Sequence, residues 1–390
     1  MKKNNFSLID TQLKRKNDNN VKWGIQTKYQ DPQLLPLWVA DMDIATFSPI
    51  REALKKEIDK KILGYVNPSK KLFTIIANWQ ESHHQVIINP SQILLTPGVD
   101  AGISLAIRYL TKKRDPILVA DPYYPPYKNL VEGTGRHLVT FPLDNKAGQY
   151  KYDFRKLEGV LATKQIKVLI LCNPQNPGGR IWDKSELKKI SDLSQKYQVL
   201  IFSDEIHNEL FYDNHHPVSM LNKSLAGNPN IVVFNSASKA FNLAGTKTAY
   251  ILLKNPVLLK KLKLAQKIEY TGQLNTLGLV SLKIAYQRGQ KWLEELRSYL
   301  QTNRNFVIQY LKKYLPKIKF MVPQATFLIW LDFSPYGYSD FILQKKLLKQ
   351  CHLYLNPGPD YGKQGYQHMR LNFACNRKLL QKGLDRLKKL

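Results

Sequence analysis

Residues 168–179 read VLILCNPQNPGG, so a continuous apolar run leads directly into a turn with two prolines and two glycines. An apolar run without polar alternation is typical of a strand that is covered on both faces, as in a parallel α/β sheet. Four other runs of this kind occur, at Pro116–Asp121, Val199–Glu205, Ile231–Asn235 and Thr248–Leu253. Because helix-period stretches such as Asp100–Leu110 and Lys184–Lys196 alternate with them, the sequence predicts an α/β fold with a mostly parallel sheet.

The last third of the chain has a different order of elements. A long helical pattern over residues 275–314 precedes a strand–helix–strand–helix series at Thr326–Phe333, Ser339–Cys351, His368–Ala374 and Arg377–Leu390. This order predicts a second, smaller α+β unit. We therefore expect an N-terminal segment that packs on the small unit, a large domain, and a small C-terminal domain, at residues 1–50, 51–285 and 286–390.

The composition is that of an ordinary globular protein, but the charge is unusual. Of the 390 residues, 43% are hydrophobic and 23% are charged, which excludes a disordered or fibrous protein. The 59 Lys and Arg against 30 Asp and Glu give a formal net charge of +29, which could attract nucleic acid or an anionic membrane. However, the basic residues are spread through helix-like stretches, and the sequence has no zinc-finger spacing or RNA-binding aromatic string. We therefore expect a basic solvated surface and no nucleic-acid partner.

The sequence also carries signals about the compartment. No apolar run reaches the ~18 residues that a membrane helix needs, and no apolar stretch of a secretory signal follows the basic N-terminus. The three cysteines, Cys172, Cys351 and Cys375, are odd in number and far apart. This spacing disfavours both a disulfide framework and a thiolate metal site, so the cytoplasm is the expected location and no membrane partner is expected.

Polar residues lie at or just beyond the ends of four apolar runs, at Asp121, Asn173, Asp204 and Ser236. Ligands of open α/β sheets bind outside the carboxyl ends of the strands. The sequence therefore predicts that a functional site is assembled at this edge.

One candidate motif is Ser236-Ala237-Ser238-Lys239, which follows a predicted strand and precedes Lys247. A lysine at the end of a buried strand is partly desolvated, which lowers its pKa and makes its amine a usable nucleophile and base. The two hydroxyls and the second cation suit a phosphate group. Taken alone, the string is equally compatible with a surface turn.

Asp204 and Asn176 each have two interpretations. The Asp204 carboxylate could accept a charged hydrogen bond from a ring N–H of a ligand, or it could cap a following helix. Asn176 lies in the string N-P-x-N-P-x-G, whose rigid backbone can present it as a donor to a ligand oxygen. However, prolines, glycines and asparagines also occur in turns that have only a structural role.

Two further motifs could contact a ligand. Thr96-Pro97-Gly98-Val99-Asp100 leads into a predicted helix, where backbone N–H groups could bind a phosphate, or where Pro-Gly simply starts the helix. Tyr124, within PYYPPY at residues 122–127, could stack on an aromatic ligand, whereas packing in the core is the default for such tyrosines.

Two other patterns near Asp204 are excluded. Asp204-Glu205-Ile206-His207 has the form of a helicase D-E-x-H, but the sequence lacks a G-x-x-x-x-G-K-[ST] phosphate loop. His207, His215 and His216 do not have the spacing of a zinc site. We therefore expect solvated histidines and no metal.

Taken in order, these motifs resemble those of the fold-type I enzymes that depend on pyridoxal 5'-phosphate (PLP), the aspartate-aminotransferase superfamily, over essentially the whole chain. LWVADMD at residues 37–43, ILCNPQNPGGRIW at 170–182 and SDEIHNEL at 203–210 resemble the branch of cystathionine β-lyases and C–S lyases often called MalY/PatB. The resemblance implies the PLP-dependent transferase-like fold, with a seven-stranded sheet in the large domain, and a homodimer.

The resemblance also implies roles for individual residues. Lys239 is expected to form a Schiff base with PLP, Asp204 to pair with its ring nitrogen, and Asn176 to bind its ring oxygen. Tyr124 is expected to stack on the ring. The expected phosphate contacts are Gly98, Val99, Ser236, Ser238, Lys247 and, from the neighbouring subunit, Tyr65. The expected substrate contacts are Ala40, Tyr124, Asn176 and Arg370, of which Arg370 clamps the α-carboxylate.

Two positions differ from many relatives. Lys247 stands where many have a phosphate-binding arginine, and His207 stands where many aminotransferases have a tyrosine that bonds the ring oxygen. The second difference favours elimination over transamination. The resemblance thus implies a cytoplasmic C–S β-lyase that cleaves L-cystathionine or cysteine S-conjugates to a thiol, pyruvate and ammonia, as in methionine biosynthesis. An aminotransferase, or a nucleic-acid-binding regulator that merely retains PLP, stays open as an alternative.

Overall fold

The computed structural model describes residue 15 and residues 20–390 except 147 and 226. Residues 1–14 and 16–19 of the predicted N-terminal segment lie outside the described residues. The strands are β1 (Leu35–Pro36), β2 (Ile93–Thr96), β3 (Pro116–Asp121), β4 (His137–Pro142), β5 (Asp144–Lys146), β6 (Gln149–Lys151), β7 (Val168–Cys172), β8 (Leu200–Asp204), β9 (Ile231–Asn235), β10 (Ala249–Leu252), β11 (Lys319–Phe320), β12 (Leu328–Asp332), β13 (Leu353–Tyr354), β14 (Asn356–Pro357) and β15 (His368–Asn372). The α-helices are α1 (Ile25–Lys28), α2 (Ser48–Ile58), α3 (Lys70–His84), α4 (Val99–Leu110), α5 (Pro126–Glu132), α6 (Phe154–Thr163), α7 (Lys184–Lys196), α8 (Pro256–Glu269), α9 (Thr276–Arg288), α10 (Gln290–Tyr314), α11 (Asp340–Lys349) and α12 (Arg377–Leu387).

Seven strands form the large sheet, in the order β2-β10-β9-β8-β7-β3-β4. Strand β10 runs antiparallel to both of its neighbours, and the remaining adjacent pairs are parallel. The predicted α/β fold with a mostly parallel seven-stranded sheet is therefore confirmed.

Both faces of this sheet are covered. On β7, Leu169 and Leu171 pack in one apolar cluster, whereas Val168 and Ile170 pack in another. Successive strand residues point to opposite faces, so each face of β7 has its own apolar layer. Helices α6 and α7 contribute to the first layer, and α4 and α8 to the second. This burial explains why the run at residues 168–172 lacks polar alternation.

The parallel register brings the carboxyl ends of the central strands together. Cys172 of β7 pairs with Asp204 of β8, which in turn pairs with Phe234 of β9. The residues that follow these strand ends, such as Asn173 and Ser236, therefore meet at one edge of the sheet.

The helical pattern over residues 275–314 forms two helices, α9 and α10, which meet at Gly289. A Cβ atom at Gly289 would lie 2.2 Å from Phe241 Cε1, so the close approach of Phe241 requires a glycine here. The predicted end of the large domain, at residue 285, lies inside α9, and the division into domains stays a prediction.

A smaller antiparallel sheet follows α10, with the strand order β11-β12-β15-β14. Helix α12 packs against α10 and against β13. Strand β1 pairs in parallel with β13, so residues 35–36 of the N-terminal segment lie against this smaller unit. Over the residues that the structure describes, we find no helix with the length and apolar character needed to cross a membrane.

Candidate active site

A cavity of about 310 Å³ lies at the carboxyl edge of the large sheet. It is lined by ten of the predicted site residues, namely Ala40, Gly98, Val99, Tyr124, Asn176, Asp204, Ser236, Ser238, Lys239 and Lys247. Tyr65 and Arg370 are not part of this lining. The structure therefore brings most of the predicted residues into one site.

Lys239 follows β9 and lines the cavity with a half-buried side chain. Its Nζ donates a hydrogen bond to the Ala40 carbonyl oxygen at 2.8 Å. Burial lowers the pKa of the amine, and the positive charge of Arg370 lowers it further, against the opposing effect of nearby carboxylates. A lowered pKa enlarges the neutral fraction of the amine, which is the form that acts as a nucleophile or base.

Asp204 is a buried carboxyl group at the end of β8. Tyr127 Oη donates to its Oδ2 at 2.7 Å, and the Ile206 N–H donates to its Oδ1 at 3.2 Å. Burial raises the pKa of Asp204 to about 7, and the charge of Asp100 contributes to the increase. The residues that follow form a turn and not a helix, so Asp204 does not cap a helix. A carboxyl group in this state would be stabilised by a cationic ring N–H.

Arg370 and Asn176 connect the smaller sheet to the cavity. Arg370, on β15, is 3% exposed, and its Nη1 donates to Asn176 Oδ1 at 2.9 Å. Its Nη2 donates to Asn356 Oδ1 at 2.7 Å and to the Trp38 carbonyl at 3.2 Å. Its Nε finds no hydrogen-bond partner in the described part of the chain. A buried, unpaired N–H on a guanidinium group suits an incoming carboxylate. Because Asn176 Oδ1 accepts from Arg370, the Asn176 amide nitrogen is available to donate into the cavity.

Helix α4 begins at the cavity and offers a place for an anion. Gly98 precedes the helix with a φ of 125°, a backbone conformation that favours glycine, and no side chain caps this helix end. The first N–H groups of α4, beginning with Val99, are therefore available to an anion. Ser236 Oγ donates to a backbone carbonyl at 2.7 Å and accepts from the Ser238 N–H at 3.0 Å, which fixes the neighbouring turn. With Lys247 on the same cavity, this set suits a phosphate group.

The two predicted tyrosines lie in different environments. Tyr124 lines the cavity and packs edge-on against Tyr127, with ring centroids 5.4 Å apart. Tyr65 is fully exposed and does not line the cavity of its own chain. Its contact with a neighbouring subunit stays a prediction.

His207 overturns one expectation, since we expected a solvated side chain. The residue is 3% exposed and lines the cavity. Burial lowers its pKa well below 6.5, so the ring is neutral, and its Nδ1 finds no partner among the described residues. The reason is a pair of long-range contacts, because the Thr326 N–H donates to the Leu210 carbonyl and the His207 ring packs edge-on against Phe327. His216, which is outside these contacts, is exposed as expected.

Sequence reasoning missed other residues at the site. Tyr127 lies within PYYPPY, so this string did contain a signal for the hydroxyl that bonds Asp204. Asn356, which bonds Arg370, had no local signal. Cys172 lines the cavity, and burial raises the pKa of its thiol to about 12.

The arrangement fits PLP. The Lys239 amine would join its aldehyde, Asp204 would hold its ring nitrogen, and Lys247 with the start of α4 would hold its phosphate. A buried carboxyl group with a pKa of about 7 is the expected partner of a ring N–H that the ligand supplies. The fold and the site together define a PLP-dependent enzyme with the aspartate-aminotransferase fold.

The chain belongs to the aminotransferase class I and II family, which it matches over residues 33–387. It is 38% identical to cystathionine β-lyase PatB of Bacillus subtilis, over 97% of this chain and 98% of that protein. It is 30% identical to protein MalY of Escherichia coli, over 92% of each. The structure of the PLP-bound C–S lyase from Staphylococcus hominis superposes with a TM-score of 0.90 at 29% identity, covering 97% of each chain. The resemblance to the MalY/PatB branch is therefore confirmed.

Proposed function

We propose that this protein is a PLP-dependent C–S β-lyase that cleaves L-cystathionine or a related cysteine S-conjugate to a thiol, pyruvate and ammonia. With L-cystathionine the thiol is homocysteine. The observation that carries the proposal is the convergence of Lys239, Asp204 and Asn176 on one cavity beside Arg370. The relatives that are named cystathionine β-lyase support the choice of reaction.

Arg370 binds the carboxylate end of the substrate in this proposal. Its guanidinium plane is fixed by Asn176, Asn356 and the Trp38 carbonyl. Its Nε is the buried donor that still lacks a partner in the described structure. A carboxylate that accepts from this fork is held by both charge and geometry.

Lys239 is the base that removes the Cα proton. Bound PLP supplies an electron sink for the negative charge that develops at Cα. The lowered pKa of Lys239 enlarges the neutral fraction of its amine, and the Ala40 carbonyl holds its Nζ at a defined position. Asp204 holds a compensating negative charge at the end of β8. The neutral ring of His207 replaces the tyrosine hydroxyl of many aminotransferases, which supports elimination over transamination.

Pyruvate release from L-cystathionine, coupled to lactate dehydrogenase, tests this proposal. The PLP-loaded protein is expected to oxidise NADH without any added keto-acid acceptor, because only a lyase produces pyruvate directly. Lys239→Ala is expected to abolish turnover, and Asp192→Asn, on an exposed helix face, serves as the matched control. An enzyme that turns over only when a keto acid is supplied is an aminotransferase. Full activity of Lys239→Ala would remove Lys239 from the mechanism.

We also propose that the protein is a homodimer in which Tyr65 reaches the neighbouring site. Tyr65 is fully exposed, and Ile62 and Leu63 beside it are exposed apolar residues, an arrangement more typical of an interface than of a free surface. Mixing Tyr65→Ala with Lys239→Ala tests this arrangement. If Tyr65 acts on its partner, mixed dimers contain one complete site and regain activity. If mixing restores no activity although mixed dimers form, Tyr65 does not act in the neighbouring site.

Two further properties stay proposals. The cysteine pattern supports a cytoplasmic location. The spread of basic residues supports a protein without a nucleic-acid partner, and the absence of salt-dependent DNA or RNA binding at moderate ionic strength would bear this out.

A further inference from the structure

Lys22 is a charged residue with no exposed surface, and the mechanism above does not use it. Its Nζ lies 2.7 Å from Asp43 Oδ2 and donates to the Asp41 carbonyl at 2.9 Å. A buried ammonium group is tolerated only when it is paired and hydrogen-bonded, and removing one member of such a pair is strongly unfavourable. Lys22 is therefore a fixed point in the structure and not a mobile surface lysine.

The segment that Lys22 holds is residues 38–43, which we call the carbonyl loop. One end is held at Asp43, whose Oδ1 accepts from Trp23 Nε1 at 3.0 Å. The other end is held at Trp38, whose Nε1 donates to the Lys22 carbonyl at 3.0 Å. Residues 22 and 23 thus contact both ends of the carbonyl loop, and Arg15 adds hydrogen bonds to Asp43 Oδ1 at 3.0 Å and to Asp41 Oδ2 at 2.8 Å.

Between these ends, the carbonyl loop directs backbone oxygens at the two groups that handle the substrate. The Trp38 carbonyl accepts from Arg370 Nη2 at 3.2 Å, and the Ala40 carbonyl accepts from Lys239 Nζ at 2.8 Å. Asn372, two residues after Arg370, donates to the Val39 and Asp41 carbonyls at 2.7 and 2.8 Å. The position of the loop therefore helps, with Asn176 and Asn356, to set the direction of the guanidinium group, and it sets the position of the amine.

We propose that Lys22 is a positioning residue for amino-acid binding. Its pair with Asp43 holds the carbonyl loop so that Arg370 and Lys239 both face the substrate. This inference rests on the binding of an amino acid at the cavity, which the proposed lyase shares with any enzyme of this family. A small displacement of a carboxylate clamp is enough to reduce binding of the reactive conformation by an order of magnitude or more.

The test compares two ligands that differ only in the carboxylate. L-alanine and ethylamine are titrated into the PLP-loaded protein, and binding is followed by the change in visible absorbance. In Lys22→Met, which keeps the length of the side chain without its charge, the dissociation constant of L-alanine is expected to rise about tenfold or more. The constant for ethylamine is expected to rise clearly less, because a shift of Lys239 affects both ligands, whereas only L-alanine also uses the Arg370 clamp.

A second readout does not depend on the cofactor. The amide of Asp43 donates to the Ala374 carbonyl at 2.9 Å, and the amide of Met42 donates to Asn242 Oδ1 at 3.3 Å. Hydrogen exchange of a peptide that covers residues 38–43 is expected to accelerate in Lys22→Met. Asp43→Asn removes the charge that pairs with Lys22 and also the one that pairs with Arg15, and it is expected to accelerate the same exchange at least as much. This variant keeps the test available if Lys22→Met does not fold.

Arg304→Met is the control, because Arg304 is another buried cation, paired with Asp213 outside the carbonyl loop. It is expected to lower stability without changing the ratio of the two dissociation constants. The proposal is overturned if Lys22→Met weakens both ligands equally, or neither, or if the exchange of residues 38–43 is unchanged. Failure of the proposed lyase function is a separate result, since it appears as the absence of pyruvate from L-cystathionine in the unmodified protein.

Discussion

Replacing Asp204 with asparagine is expected to stabilise the cofactor-free protein, although it damages the site. Burial raises the pKa of Asp204 from an ordinary 3.8 to about 7. Each pH unit of such a difference corresponds to about 1.4 kcal/mol, so the ionised carboxylate costs the native state on the order of 4 kcal/mol at pH 8. Asparagine has the same shape, and its oxygen can still accept from Tyr127, but it carries no charge.

The dependence on pH has a definite sign. A carboxyl group whose pKa is higher in the native state binds its proton more tightly there than in the unfolded chain. Its stabilising effect is present below about pH 4 and is lost as the pH rises through 7. Asp204→Asn should therefore differ little from the unmodified protein near pH 4, and its advantage should grow up to about pH 8.

Urea unfolding of the cofactor-free proteins at several pH values measures this effect. The free energy of unfolding of Asp204→Asn is expected to exceed that of the unmodified protein by several kcal/mol at about pH 8. Asp192→Asn, at an exposed position, is the control and should stay within about 0.5 kcal/mol. Added PLP should raise the melting temperature of the unmodified protein more than that of Asp204→Asn. If Asp204→Asn is no more stable than the unmodified protein at pH 8, the ionised Asp204 carboxylate does not destabilise the cofactor-free native state. A cationic ring would then have no such destabilisation to relieve.

Three other substitutions test separate parts of the site and its support. Arg370→Lys keeps the charge but loses the planar fork, so the KM for L-cystathionine should rise about tenfold or more while kcat falls less; equal losses in both would contradict a binding role. Lys247→Met should weaken PLP binding, measured by absorbance titration, and should make the remaining affinity less sensitive to salt. His84→Gln removes the buried partner of Glu209, 2.7 Å away, and should lower the free energy of unfolding by about 3–5 kcal/mol in urea; a loss below about 1 kcal/mol would show that the pair is not needed.

Local sequence was sufficient where function depends on strand ends. The apolar runs of the central strands predicted the sheet, and the register of parallel strands then placed Asp204 and the turn at Ser236 on one edge. The neighbours of Lys239 in the chain are also its neighbours in space, so the phosphate and lysine positions could be predicted together. In these cases a short continuous apolar run, with the polar residue that follows it, carries three-dimensional information.

Sequence was insufficient where function depends on distant contacts. His207, His215 and His216 look alike in the sequence, yet of the three only His207 is buried and lines the cavity. Likewise, nothing around Lys22 indicates that it is buried, because its partner Asp43 is brought to it by the path of residues 22–43. The break at Gly289 also has a distant cause, the ring of Phe241. Contacts of this kind are fixed by tertiary packing and leave no local pattern.

Cys172 has a consequence for an enzyme that liberates sulfur compounds. Its thiol lies in the wall of the cavity, yet its pKa of about 12 keeps it protonated at neutral pH. Alkylation and mixed-disulfide formation both proceed through the thiolate. The sulfur products that the protein releases should therefore not modify Cys172. Thiol-directed inhibitors should also leave Cys172 unmodified unless they bind tightly in the cavity.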